Sequence, residues 1–329
     1  MRAVLYDEPA SASGLYLGEI PQPAPGPDEL LIRVWATALN RADILQRQGR
    51  YPPPPGSSPI LGLEASGMVE AVGNACKRWK PGNKVMALLT GGGYAEYVTV
   101  PEVQAMPVPA HVELTEAAAI PEAWATAYQA LFLLGRLNTE THSVLVHAGA
   151  SGVGTAATIL AAGMGAKVFV TTSKPKHARC LELGATVAID YKTEDFADRV
   201  LNETAGRGVD LIVDCIGAAY FERNLRALAL DGSLVLLSMM GGSRVRDVQL
   251  RQLFAKRATV HASTLRNRSV AYKQALLRAL EIRFEDSNGR PVVRPIIDSV
   301  YDWAQVTLAH TRMESNLNTG KIILRVRNE

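Results

Sequence analysis

The 329-residue chain has three cysteines, Cys76, Cys180 and Cys215, and none stands in a C-x-x-C pair. That excludes a disulfide scaffold and a cysteine-rich zinc lobe. No run of 18 apolar residues occurs, which excludes a hydrophobic membrane-spanning helix. The opening residues Met1-Arg2-Ala3-Val4-Leu5-Tyr6-Asp7 lack the long apolar segment of a signal peptide, so a soluble, cytoplasmic protein is expected. Charge of one sign is also scarce. Lys plus Arg is 35 against 32 for Asp plus Glu, a net +3 with no dense basic run, which argues against a dedicated nucleic-acid binder. The six histidines, at 111, 142, 147, 177, 261 and 310, form no H-x-x-H or H-x-x-x-H pair. A convergent zinc site is therefore not expected.

What is present divides the chain by rhythm. Up to about residue 110, short β-rich runs (3–6, 29–36, 66–72, 84–89 and 95–100) are separated by Pro-Gly and Gly-Gly turn signals, with a helix near 42–48. These predict a compact β-barrel. Thr115 is placed to cap a helix carrying Ala117 to Ala119 that stops before Pro121, and a further helix is expected over 123–134. Strands and helices then alternate. Strands are expected at 143–147, 167–172, 187–190, 210–215, 233–239 and 259–265, with helices at 153–164, 176–183, 196–204 and 221–230. Six strands joined by helical crossovers predict an α/β fold with a doubly wound parallel sheet, because parallel neighbours need long returns. The last segment, from about 266, holds a helix at 271–281, a strand near 292–296, a helix at 303–313 and a strand at 321–326. Such mixed elements more naturally rejoin the first region.

The stretch His147-Ala148-Gly149-Ala150-Ser151-Gly152-Val153-Gly154 joins the first strand of the alternating region to its first helix. Glycines there allow a sharp turn and let a pyrophosphate approach the unpaired N–H groups of the helix N-terminus. The spacing is G-x-x-G-x-G, and its position at the head of a parallel pattern predicts a dinucleotide site. An NAD site needs an acidic side chain about 20 residues past the glycines. Here that place reads Thr171-Thr172-Ser173-Lys174-Pro175-Lys176. Ammonium and hydroxyl groups suit an extra 2′-phosphate, so NADPH is the expected cofactor. His147 is expected to be a neutral structural histidine at a strand end.

At these residues the sequence resembles the zinc-free quinone oxidoreductases of the medium-chain dehydrogenase/reductase superfamily, relatives of zeta-crystallin. Within them it is most similar to the NADPH-dependent subgroup named for induction by a tumour-suppressor transcription factor. The resemblance runs over essentially the whole chain. It is carried by Ala38-Leu39-Asn40-Arg41-Ala42-Asp43, Gln46-Arg47-Gln48-Gly49, Leu61-Gly62-Leu63-Glu64-Ala65-Ser66-Gly67, Ala119-Ile120-Pro121-Glu122-Ala123-Trp124, the glycine loop, Asp214-Cys215-Ile216-Gly217 and Asn318-Thr319-Gly320-Lys321-Ile322. It implies a Rossmann-type domain over 123–265 inserted into a GroES-like catalytic domain made of 1–122 and 266–329. Zinc-dependent cousins carry Cys where Asn40 stands and His where Leu63 stands.

The resemblance further implies that Ser151, Gly152, Val153 and Gly154 line the pyrophosphate and that Ser173, Lys176 and Tyr191 surround the 2′-phosphate. Asn316 falls near that phosphate, where some relatives have Arg. Thr126, Gly217, Met240, Gly241 and Leu265 map to the cofactor's surroundings, and Asn40, Asp43 and Tyr51 to the catalytic pocket. Several have a second reading. Asn40 and Asp43 also suit pinning a loop, Tyr51 suits covering an apolar wall, and Gly217 and Gly241 suit strand-end turns. The implied activity is metal-free reduction of a quinone by NADPH, in a homodimer. Two alternatives remain at this point: an NADPH-dependent enone or 2-alkenal reductase, and a crystallin-like protein that binds nucleotide or RNA with little turnover.

Overall fold

The computed structural model describes residues 1–7, 9–285 and 288–327. Contacts divide the chain into two units, Met1–Ala125 with Leu265–Glu329, and Thr126–Thr264.

The first unit opens with the antiparallel pair β1 (Arg2–Leu5) and β2 (Tyr16–Glu19). β3 (Glu29–Ala38) is followed by helix α1 (Arg41–Arg47), β4 (Glu64–Val72), β5 (Lys84–Leu88), β6 (Tyr97–Pro101) and β7 (Ala105–Pro107). Helices α2 (Leu114–Ala117) and α3 (Pro121–Tyr128) come next, and α3 carries the chain into the second unit. Thr115 does not cap α2, whose N-cap is Glu113. The threonine hydroxyl instead accepts a hydrogen bond from the Trp35 indole N–H at 3.0 Å. The expected helix over 123–134 opens at Pro121, because a proline's missing N–H costs nothing at a helix's first position. It gives way to a π-helical stretch at Gln129–Leu134.

The second unit contains β8 (Ser143–His147), α4 (Gly152–Gly163), β9 (Lys167–Thr172), α5 (His177–Glu182), β10 (Val187–Asp190), α6 (Phe196–Glu203), β11 (Val209–Asp214), α7 (Phe221–Ala227), β12 (Leu228–Leu236), α8 (Leu250–Lys256) and β13 (Thr259–Ala262). Its six strands run in the order β10-β9-β8-β11-β12-β13, and every pairing is parallel. The doubly wound sheet expected from the alternation is what forms. One strand departs from expectation: β12 starts at Leu228, before the Gly232 turn signal. Asp231 adopts a left-handed φ of 62°, and the register with β11 shifts there. The glycine marks a bulge within a strand, not a strand boundary. Phe169, Ile189, Phe196, Val200 and Ile212 are fully buried in this core. Each such side chain contributes about 1.5–3 kcal/mol.

The chain then returns to the first unit with α9 (Val270–Glu281), β14 (Ile297–Asp302), α10 (Val306–Glu314) and β15 (Lys321–Arg325). The strand expected near 292–296 forms five residues later. Pro295 has no N–H for a ladder, and pairing starts only at Ile297 opposite Lys321. The resulting seven-stranded sheet has the order β14-β15-β3-β4-β5-β7, with β6 also on β3. The last segment thus pairs with the first region through β15 on β3.

Candidate functional site

In the second unit most candidate positions follow the carboxyl ends of parallel strands, where open α/β sheets bind ligands. The turn after β8 is tight. A Cβ on Gly149 would lie 2.5 Å from the Val170 side chain, and one on Gly154 would lie 2.3 Å from the Ala148 carbonyl oxygen. Only glycine lets helix α4 approach the sheet this closely. The Ser151 hydroxyl caps α4 by accepting from the Gly154 N–H at 3.0 Å. Gly152 and Val153 are half-buried at the first helical positions, where backbone N–H groups lack an intrahelical acceptor. That arrangement fits a pyrophosphate.

Behind this turn lies a chain of buried polar groups. His147 Nδ1 is 2.9 Å from the Thr171 hydroxyl, and His147 Nε2 is 2.7 Å from the Asn224 carbonyl oxygen. The Asn224 amide N–H donates to Asp214 at 2.9 Å, and the Asp214 carboxylate also accepts from the Ile216 and Gly217 backbone N–H groups. Burial pushes Asp214 up to about 6, against the lowering effect of those backbone donors. Burial pushes His147 down to about 4, so the ring is neutral at physiological pH. The structural role expected for His147 matches this geometry. Asp214 lies in a quoted motif, but no pattern pointed to Asn224.

Gly217 adopts φ 82°, a region that favours glycine. Its neighbourhood joins the loop after β12, where the Met240 and Gly241 N–H groups donate to the Cys215 and Ile216 carbonyls. Met240 is 48% exposed. Because Thr172 pairs with Asp190, Ser173 and Tyr191 each stand one residue beyond adjacent strand ends. The Ser173 hydroxyl makes no capping bond to the 3-10 turn Lys174–Lys176. Tyr191 is exposed. The neighbouring acid, Asp190, accepts from the N–H of Lys192 in its own loop at 3.2 Å. Two ammonium groups, a hydroxyl and a phenol at these strand ends suit a phosphate better than a ribose diol. Thr126 lies in this unit too, half-buried on α3.

Leu265 and Asn316 belong to the first unit. Leu265 is buried, and the Asn316 side-chain oxygen accepts from the Arg41 guanidinium at 2.6 Å.

The first unit holds the second cluster. The register of β15 on β3 and of β3 on β4 brings Lys321, Asn40 and Glu64 together. The Lys321 ammonium donates to Glu64 Oε1 at 2.6 Å, to Asn40 Oδ1 at 2.7 Å and to the Leu39 carbonyl at 2.7 Å. Glu64 Oε1 also accepts from the Asn40 amide at 2.9 Å, and Glu64 Oε2 from the Glu122 backbone N–H at 2.8 Å. Both charged side chains are almost fully buried. Asp43 is fully buried as well, accepting from the Asn40 N–H at 2.7 Å and the Gly62 N–H at 3.0 Å. Burial lifts its carboxyl to about 6, although those two donors oppose the rise. A carboxylate so enclosed pins the segment between β3 and α1. These contacts suit the second reading of Asp43, that of a residue pinning a loop.

Tyr51 is half-buried, with the Arg266 guanidinium 5.4 Å from its ring centroid. Arg266 is held by the Thr90 carbonyl at 2.8 Å and the Gln46 side-chain oxygen at 2.7 Å. Burial and then the neighbouring Glu122 raise the Tyr51 phenol. Sequence patterns assigned no role to Arg266, Lys321 or Glu122, although the latter two lie in quoted motifs. Among the described residues no three His, Cys, Asp or Glu side chains converge as a metal site. The carboxylates nearest Asn40 are occupied by Lys321 and by backbone N–H groups, so this donor set does not fit zinc.

With both clusters placed, comparisons with known proteins define the class. Residues 26–110 match the family model "Alcohol dehydrogenase GroES-like domain", and residues 152–281 match "Zinc-binding dehydrogenase". The human synaptic vesicle membrane protein VAT-1 homolog is 34% identical over 316 residues, covering 92% of this chain and 80% of the human one. The chain belongs to the medium-chain dehydrogenase/reductase superfamily of oxidoreductases. Among solved structures, an NAD-dependent alcohol dehydrogenase superposes with a TM-score of 0.86 at 29% identity, covering 99% of this chain and 100% of that one. A mycobacterial protein complexed with NADPH gives 0.85 at 29% identity, with 99% and 100% covered. A mycobacterial quinone oxidoreductase gives 0.83 at 30% identity, with 99% of each chain covered. Among the described residues no helix is long and apolar enough to cross a membrane.

Replacing Lys321 with Met leaves the buried Glu64 carboxylate without its counter-ion. The expected loss of stability is about 3–5 kcal/mol, read from urea unfolding of the two proteins side by side.

Proposed function

We propose that this protein is an NADPH-dependent, metal-free quinone reductase. The observation that carries the proposal is the donor set beyond β9 and β10. Ser173, Lys174 and Lys176 follow β9, Tyr191 follows the adjacent β10, and the nearby acid, Asp190, accepts from the Lys192 N–H in its own loop. The likeness to a mycobacterial protein complexed with NADPH supports the same cofactor, and the likeness to a mycobacterial quinone oxidoreductase supports the acceptor. Ser151, Gly152, Val153 and Gly154 hold the pyrophosphate, and Ser173, Lys176 and Tyr191 hold the 2′-phosphate. Thr126, Gly217, Met240 and Gly241 surround the remainder, and Leu265 and Asn316, both in the first unit, are assigned to the cofactor by the resemblance alone.

When bound, the nicotinamide supplies a hydride. A quinone is already a good electron acceptor, so the protein's main tasks are orientation and stabilisation of the oxygen on which charge develops. Tyr51 donates a hydrogen bond to that oxygen. Asn40, locked by Glu64 and Lys321, sets the position of the loop before α1. With Asn and Leu at the places where zinc-dependent cousins carry ligands, and with Glu64 and Asp43 already occupied, no Lewis acid is needed to account for this chemistry.

The active form is proposed to be a homodimer joined along β13. That strand pairs with β12 on one side only, and Val260 on it is partly exposed. Beside it α8 presents Leu250 at 70% exposure and Phe254 at 86%. A second copy would cover this apolar face and extend the sheet across the two-fold axis.

The direct test is NADPH oxidation against 1,2-naphthoquinone and a simple enone in parallel, with metal content measured on the same sample. Turnover confined to the enone, or stoichiometric zinc, would overturn the proposal. Reversing charge with Lys176→Glu is expected to raise KM for NADPH at least tenfold while leaving KM for NADH nearly unchanged. Equal changes for both coenzymes count against the 2′-phosphate role. Tyr51→Phe removes one hydrogen bond and is expected to lower kcat by about tenfold, in line with about 1–1.5 kcal/mol. For the assembly, Val260→Lys places charge on the sheet edge and is expected to halve the mass found by light scattering. An unchanged mass excludes this interface.

A further inference from the structure

We propose that Glu122 is a further catalytic residue of the first unit: the neutral carboxylic acid that donates the proton to the acceptor's reduced oxygen. The inference rests on the quinone-reductase reading and deepens it by naming the proton source. Its physical basis is independent of that reading.

Glu122 stands at the second position of α3, where its backbone N–H is committed to Glu64. Its side chain is not so committed. Oε2 is buried and has no hydrogen-bond partner in the protein, while the residue as a whole is only half-buried. An ionised carboxylate with a buried, unpartnered oxygen is costly, and neutralising it removes most of that cost. The surroundings add to the effect. Loss of water and the neighbouring Glu64 carboxylate push the Glu122 carboxyl up to about 8, and Asp43 acts in the same direction. Lys321 and Lys273 oppose the rise, but both ammonium groups are directed elsewhere. Lys321 is saturated by Glu64, Asn40 and the Leu39 carbonyl. The Lys273 ammonium donates to the Arg266 carbonyl at 2.9 Å. Glu122 also acts on Arg266, which lies against Tyr51. Tyr51 in turn feels Glu122. The acid therefore lies in the field of the very phenol assigned to the acceptor oxygen.

The step balances. The acceptor gains a hydride, which carries both electrons, from the reduced nicotinamide, leaving an oxyanion. The Glu122 O–H bond breaks as the new O–H bond on that oxygen forms. The resulting carboxylate, disfavoured where it stands, recovers a proton from water. One proton and one hydride are consumed per acceptor reduced. Tyr51 supplies a hydrogen bond but no proton, which is why its removal is expected to be mild.

The test is Glu122→Gln, which keeps size and polarity and loses the acidic proton. With 1,2-naphthoquinone, kcat is expected to fall at least tenfold while KM for NADPH stays within twofold. The decline in wild-type activity as pH rises through about 8 should disappear in the variant. A second measurement needs no turnover. A carboxyl whose folded-state pKa is raised stabilises the fold fully at low pH and loses that contribution as pH rises from about 4.5 through about 8. The urea midpoint of Glu122→Gln relative to wild type should thus climb over that range and level off above it. Identical pH–rate profiles, or a midpoint difference that does not change with pH, overturn the proposal. Absence of turnover by the wild type with every quinone and enone overturns the functional reading and the donor role together. The pH-dependent midpoint then decides separately whether Glu122 carries a proton.

Discussion

The buried contact of Lys321 with Glu64 is the constraint on which the first unit's site depends. A lone charge in that position would be heavily penalised. Here the ammonium has three acceptors and the carboxylate has a donor on each oxygen. Such a pair contributes little net stability over an apolar replacement, but it enforces one arrangement, since any other leaves a charge uncompensated. Through it the last strand, the loop after β3 and the start of α3 are tied to a single edge of β4. Asn40, Asp43 and Glu122 take their positions from that tie.

The second unit is organised by a different device. Its strand ends are held by buried groups in series from Thr171 through the neutral His147 and Asn224 to the Asp214 carboxylate. At its outer end the Thr171 hydroxyl accepts from the Ala148 N–H of the glycine turn at 3.4 Å. Cations stand beside this series at Arg223, over the Phe196 and Tyr220 rings, and beyond the second strand at Lys174 and Lys176. A continuous series of satisfied hydrogen bonds thus shapes the wall behind the glycine turn.

The parallel sheet was legible because alternating apolar runs and crossover helices leave few other topologies, and β8 to β13 fall within a few residues of their expected places. The glycine turn was legible for the same local reason. Boundaries set by long-range packing were less so. β12 runs through its own turn signal because a neighbouring strand accommodates the bulge, and β14 begins late because of Pro295. The site divided along the same line. Ser151 to Gly154 are contiguous and announce themselves. The Lys321–Glu64–Asn40 contact joins positions up to 281 residues apart, and Arg266 reaches Gln46 across 220. No periodicity links such residues, so a resemblance could quote their motifs without saying what the side chains do. Asp43 lies in a conspicuous motif that suited two readings, and its burial with two backbone donors suits the loop-pinning one.

The series that begins at Thr171 has an evolutionary corollary. Each member supplies what its neighbour lacks, with a hydroxyl against one ring nitrogen, an amide against the other and a carboxylate against that amide. Drift at any one of the four positions would strand a partner, so related sequences should change them as a set or not at all. Aligned homologues ought to show this as correlated replacement at 147, 171, 214 and 224, a fingerprint of shared ancestry quite separate from the glycines in front of it.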